Sequence, residues 1–196
     1  MANPMLALPS GERGRPRNLA TVGALVAGAG GLMGFGALLA AWVNVSHFTK
    51  PWPPKGVTIA NYPGTMLAVT MLMSVVTVEW GVHANRQDNR GQALAGFGLT
   101  AGFAVAFLNL LWFFGRSMHL GVRSSAFATL LYAILAATGV AAAVGVAAMF
   151  AVLARLFARQ VGPANADTAR AAAFYWHFVA LGWILVTLVV WKPISL

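Results

Sequence analysis

The sequence predicts an all-α fold: a polytopic membrane helix bundle of five transmembrane helices. Composition is the first reason. Hydrophobic residues make up 59% of the chain, charged residues only 9%, and the mean hydropathy is +0.74, which leaves too little polar surface for a soluble domain. The second reason is segment length, because five apolar runs each exceed the roughly 20 residues that cross a hydrocarbon core of about 30 Å. The third is placement: most of the charged residues, prolines and asparagines fall between those runs.

The elements follow in order. Met1 to Asn18 is polar and carries Arg13, Arg15 and Arg17, and is expected to be a basic cytoplasmic segment. The apolar run after it is too long for a signal-peptide core and lacks a cleavage signature, so it reads as a retained first span, Leu19 to Val45. Trp52-Pro53-Pro54-Lys55-Gly56 is a stiff, non-helical turn. Pro63 then sits in the first turn of the second span, Tyr62 to Ala84, where a missing N–H costs nothing. The third, fourth and fifth spans are Leu94 to Gly115, Phe127 to Phe157 and Ala171 to Trp191. No soluble domain is inserted, so residues 19–196 form a single five-helix transmembrane domain.

The formal net charge is +9, but the basic residues occupy inter-span loops instead of clustering, which points away from nucleic acid and toward membrane topology. With the N-terminus inside, eight basic residues are cytoplasmic (Arg13, Arg15, Arg17, Arg86, Arg90, Arg155, Arg159, Arg170) and five are outside (Lys50, Lys55, Arg116, Arg123, Lys192). That places the C-terminus outside. The chain has no cysteine, which excludes disulfides, thiolate metal sites and a Cys nucleophile. Small residues four apart, Gly30 with Gly34, Gly98 with Gly102 and Ala141 with Gly145, each share a helix face and are expected to admit a neighbouring backbone.

Candidate chemistry is sparse. Of four acidic residues, Glu12, Asp88 and Asp167 fall in the terminus or loops and read as solvated charges. Glu79 lies within the second span, where a carboxylate is a functional candidate by default. His83 follows at i+4 on the same face. The preferred reading is interfacial, with Glu79 pairing locally or snorkelling toward Arg86 and Trp80 anchoring at headgroup level. His177 lies about six residues into the last span on the same side as Glu79, so a cross-helix hydrogen bond is open to it. A structural hydrogen bond is favoured over haem ligation, because His47, His83 and His119 fall in or near loops and offer no second axial ligand. Asn109, alone in the third span, reads as an interhelical hydrogen bond. No metal cluster, nucleotide loop or nucleophile elbow is present, so no catalytic, cofactor-binding or metal-binding residue is assigned.

The stretch Phe174-Tyr175-Trp176-His177-Phe178-Val179-Ala180-Leu181-Gly182-Trp183 resembles the last helix of subunit III of the haem-copper terminal oxidases, whose pattern reads Y-Y-W-H-F-V-D-x-V-W. Tyr175, Trp176, His177, Phe178, Val179 and Trp183 match it. Trp52-Pro53-Pro54 resembles the family's proline-rich loop, and Ser124-Ser125-Ala126-Phe127 its S-S-x-[FY] start of the penultimate helix. The five spans resemble the short bacterial form. Departures are Ala180 where the family has aspartate, Gly31 before Leu32-Met33 where it has glutamate, Phe113 where glutamate is common, and Thr138-Gly139-Val140-Ala141 in place of H-G-x-H.

The resemblance implies a non-catalytic subunit of an aerobic respiratory oxidase in the bacterial inner membrane. Its partners would be the catalytic subunit I and subunit II, with haem and copper in those partners and bound phospholipid as its own companion. Tyr175, Trp176, His177, Phe178, Trp183, Glu79 and His83 are the expected structural and interaction residues. Two alternatives stay open: a small transporter or channel lined by Glu79, His83, Asn109 and His177, and an assembly or scaffold protein related to subunit III.

Overall fold

The computed structural model describes residues 18–59 and 61–191; the predicted cytoplasmic segment with Arg13, Arg15 and Arg17, and Lys192, lie outside them. Five helices span the described chain: α1 (Leu19–Phe48), α2 (Asn61–Arg86), α3 (Arg90–Ser117), α4 (Ala126–Phe157) and α5 (Asp167–Trp191). All five are long and apolar enough to cross a membrane, and no strand occurs among the described residues. The prolines of the 49–60 loop stay non-helical, and α2 begins just before Pro63.

The helices run past the apolar segments because polar caps extend them. Asn89 accepts a hydrogen bond from the Gln92 amide and starts α3; Ser125 accepts from the Ala128 amide and starts α4. Each satisfies an amide that would otherwise lack a partner in the first turn. Arg90 reaches from the start of α3 to the end of α4, donating to the carbonyls of Leu156 and Phe157 at 2.9 Å each. A guanidinium at a helix C-terminus meets both the free carbonyls and the negative end of the dipole.

Short connections make successive helices alternate in direction, so the bundle has two ends. One carries the proline-rich 49–60 loop and the 118–125 loop; the other carries Asp88 and Asp167 and is called here the acidic end. Helix α5 packs on α1, α2 and α4, while α3 packs on α2 and α4. Trp176 and Trp183 of α5 are fully buried. Helix α1 is the least covered, with only Gly28, Phe35, Leu39 and Trp42 buried.

Glycine does admit close approach, but largely at positions other than the predicted pairs. A Cβ on Gly30, Gly34, Gly98 or Gly102 would meet nothing within 4 Å among the described residues, so those pairs lie at no described helix contact. The tight crossings are elsewhere. A Cβ on Gly96 would lie 2.6 Å from the backbone of Gly81, and one on Gly28 would collide with the Phe178 ring. Of the predicted pairs only Ala141 and Gly145 lie at a contact, where a Gly145 Cβ would lie 2.5 Å from the Trp176 indole.

Asp167 also departs from expectation. Its carboxylate is no free loop charge: Oδ2 accepts from the Ala20 amide at 2.9 Å, and Oδ1 accepts from the Thr21 amide and hydroxyl. Helix α1 has no side-chain cap of its own from Asn18, so the first residue of α5 caps it in trans. Because both helices begin at this end, one carboxylate serves the positive ends of two dipoles.

Candidate functional site

The aromatic stretch of α5 divides by helical phase among the four other helices. Trp176, at 0% exposure, donates from Nε1 to the Ser74 hydroxyl of α2 at 2.8 Å, and Ser74 in turn donates to the Met71 carbonyl at 2.6 Å. Its ring occupies the space over Gly145 of α4. One indole thus fastens α5 to two helices, with its N–H satisfied as burial in an apolar setting demands. Tyr175 donates to the Ala141 carbonyl of α4 at 3.0 Å. Phe178 turns to α1 and fills the gap over Gly28; four residues on, Gly182 admits Phe35 of α1, whose ring would lie 3.1 Å from a Cβ there. Trp183 stacks edge-on against Phe107 of α3, 5.3 Å between centroids, and its Nε1 is buried without a hydrogen-bond partner.

His177 points out between α2 and α5. Nδ1 lies 2.6 Å from the Ala173 carbonyl and Nε2 lies 3.3 Å from Oε1 of Glu79. A carbonyl oxygen only accepts, so Nδ1 is the donor of the first contact. The second closes as a hydrogen bond only with one more proton between the partners, on the imidazole or on the carboxyl. The pair is a one-proton link between two helices. It is only partly covered, with 37% of the His177 side chain and 59% of the Glu79 side chain exposed.

The remaining expected contacts are rearranged. Glu79 forms no ion pair with Arg86 and none with His83, whose Nε2 instead accepts from the Gln87 amide at 3.0 Å. Trp80 is 40% exposed at the level expected for an interfacial anchor. Asn109 makes no interhelical hydrogen bond and faces outward from α3. A rise of about 1.5 Å per residue puts Asn109 roughly 30 Å along α3 from Arg90, while Glu79 is roughly 10 Å from Arg86. The four residues of the transporter reading therefore do not converge; only Glu79 and His177 meet.

Three of the positions that depart from the family pattern make no hydrogen bond to another helix. Ala180 is buried, Phe113 is 61% exposed, and Thr138, fully buried, returns its hydroxyl to the Ile134 carbonyl at 2.8 Å. Among the described residues no three His, Asp or Glu side chains are grouped to hold a metal.

The residues that tie α5 into the bundle lie within a longer stretch that matches a known family. Residues 34–193 match the family model described as cytochrome c oxidase subunit III. The chain belongs to the cytochrome c oxidase subunit III family. Similar proteins carry the same name. A "Cytochrome c oxidase subunit 3" of Thermostichus vulcanus is 25% identical over 155 residues, covering 78% of this chain and 76% of that one. A "Probable cytochrome c oxidase subunit 3" of Mycobacterium bovis is 27% identical over 89% of this chain and 88% of its own length. The Gallus gallus subunit is 28% identical over 69% of this chain, and that match spans about half of its length (52%). As a subunit III of haem-copper oxidases the chain is a multi-pass membrane protein of a hetero-oligomeric complex.

Sequence reasoning missed Ser74, Gly28, Gly81, Gly96, Arg90 and Asp167 as packing residues. Hydroxyls within the apolar runs of α2 and α3 were the available signal for one of these contacts: Thr77 and Thr100 meet at 2.9 Å beside the Gly81–Gly96 crossing. Polar groups at membrane depth find partners because no water is there to take their place.

Proposed function

We propose that the chain is a non-catalytic scaffold subunit of an aerobic respiratory oxidase, packing beside the catalytic subunit I together with subunit II. It stabilises the catalytic subunit and binds phospholipid, while haem and copper reside in the partners and carry electron transfer to oxygen coupled to proton translocation. The observation that carries this reading is the family match, which runs from within α1 to the end of α5. Supporting it, the buried interior is apolar apart from Ser74, Asn85, Thr100 and Thr138, and the two titratable groups that meet at membrane depth lie at the bundle surface. Such a chain has the build of a packing partner. The membrane in this reading is the bacterial inner membrane, and the basic-residue count, eight against five, supports an N-terminus in the cytoplasm and a C-terminus outside.

The test is composition. The tagged chain, purified from native membranes in mild detergent, is expected to bring haem-bearing subunits in stoichiometric amount while showing no haem absorbance when separated from them. Stoichiometric haem in the isolated chain, or an absence of haem-bearing partners, overturns the reading.

A further inference from the structure

Asn109 stands six residues short of Gly115, where the apolar run of α3 ends. At about 1.5 Å per residue that places its carboxamide roughly 9 Å inside the hydrocarbon. It is exposed on the bundle surface and hydrogen-bonds to no described residue. Other polar side chains within the spans are answered: Thr70 and Thr187 return their hydroxyls to carbonyls one turn back, and Glu79 meets His177. An acyl chain offers neither a donor nor an acceptor, and a side chain this short does not snorkel to the interface as lysine and arginine do. Asn109 also lies on a stripe. Gly98, Gly102, Val105, Asn109 and Trp112 recur at intervals of four and three, which puts them on one helix face. All but the half-buried Gly98 are exposed, and a Cβ on either glycine would meet nothing within 4 Å among the described residues.

We infer that this face of α3 docks a membrane helix of another subunit, which presents a neutral hydrogen-bonding side chain to Asn109 and crosses closely at Gly98 and Gly102. The inference rests on the reading of the chain as a packing subunit of an oxidase and gives that packing a face. The occupant follows from Asn109 and Arg116 together. The unanswered carboxamide requires a donor or acceptor at its own depth, which a helix carrying serine, threonine, asparagine or glutamine supplies and lipid does not. A second copy of this chain supplies one too. Two copies in one membrane point the same way, however, so a closed dimer sets α3 against α3 in parallel. Arg116, two turns beyond Asn109 on the same stripe and held over the Trp112 ring at 5.6 Å, would then face its own copy. No carboxylate offsets that repulsion: Glu79, Asp88 and Asp167, the acids among the described residues, belong to the other half of the bundle. A helix of different sequence meets Asn109 without pairing like charges, and the glycines let it come near enough for the hydrogen bond to close.

The experiment uses the complex purified from native membranes with a photocrosslinker, Ala106→benzoylphenylalanine, at an exposed position beside the stripe. Irradiation is expected to join the chain to one other subunit of that complex, identified by mass. Capture of a second copy overturns the inference, and so does capture of lipid or detergent alone. Retention of the captured subunit through a detergent challenge then tests the contact. Asn109→Leu is expected to lower it by about threefold to thirtyfold, the span of single polar contacts between membrane helices; Asn109→Gln, which keeps the carboxamide, should retain most of it. Gly102→Leu should lower it as well, by holding the partner helix off. Unchanged retention in Asn109→Leu or in Gly102→Leu overturns the site. Haem in the purified complex is read separately. A haem-bearing complex in which the crosslinker reaches only lipid refutes this face and leaves the oxidase reading standing, while capture of a subunit in a complex without haem does the reverse.

Discussion

Nε2 of His177 stands 3.3 Å from Oε1 of Glu79, joining α5 to α2 near the acidic end. With Nδ1 committed to the Ala173 carbonyl, the contact holds only while a proton lies between the two side chains.

Removing either partner is therefore expected to loosen α5 from α2 modestly. Polar pairs between membrane helices average about 0.6 kcal/mol, and the exposure of both groups argues against much more. A double-mutant cycle of Glu79→Ala and His177→Ala, followed by unfolding in mixed micelles, should return a coupling of that order. The haem spectrum of the assembled complex should not change in either variant. A coupling indistinguishable from zero removes the link, and a lost haem signal in an assembled complex contradicts its structural role.

Trp176 is expected to be far more sensitive. Gly145→Ala would drive a Cβ to within 2.5 Å of its ring; with Trp176 fully buried, relief requires moving α4 from α5, at about 1–3 kcal/mol. Trp176→Phe keeps most of the packing and loses the bond to Ser74, about 1 kcal/mol. The order Gly145→Ala worse than Trp176→Phe in thermal unfolding checks the packing; the reverse order contradicts it.

Glycine replacements along the chain should split into two classes. Gly96→Ala meets backbone at Gly81, which no rotamer change can relieve, and is expected to destabilise the α2–α3 pair by about 2 kcal/mol or more. Gly30→Ala and Gly34→Ala meet nothing, and the helix propensity of alanine should leave the isolated chain unchanged or slightly more stable. Unfolding of the detergent-purified chain measures both; equal effects would contradict the crossing.

Asp167→Ala should release the start of α1. Losing a cap costs about 1 kcal/mol, and here the hydrogen bonds come from Ala20 and Thr21 of another helix. Amide exchange is expected to accelerate at residues 20–22 with little change in α3. Unaltered exchange there would show that the trans cap contributes nothing.

Much of this was legible in the sequence, and the reason is physical. The five helices cover the five apolar runs, and the proline-rich stretch at Trp52-Pro53-Pro54 stays non-helical; each is a property of a single segment, so inspecting neighbours suffices. Glu79 shows the opposite case. His83, one turn away, is the partner that local spacing offers, yet His83 takes Gln87 and Glu79 takes a residue 98 positions later.

By itself the sequence determined the five spans and the family mark on α5. Burial in a bilayer is settled segment by segment, through the length and apolarity of each run. Only the tertiary structure decided which glycines are contacts, that Asp167 caps α1, that Glu79 meets His177, and that Asn109 is left facing outward. Inside a membrane hydrophobicity does not choose helix partners; shape and a few polar contacts between distant residues do.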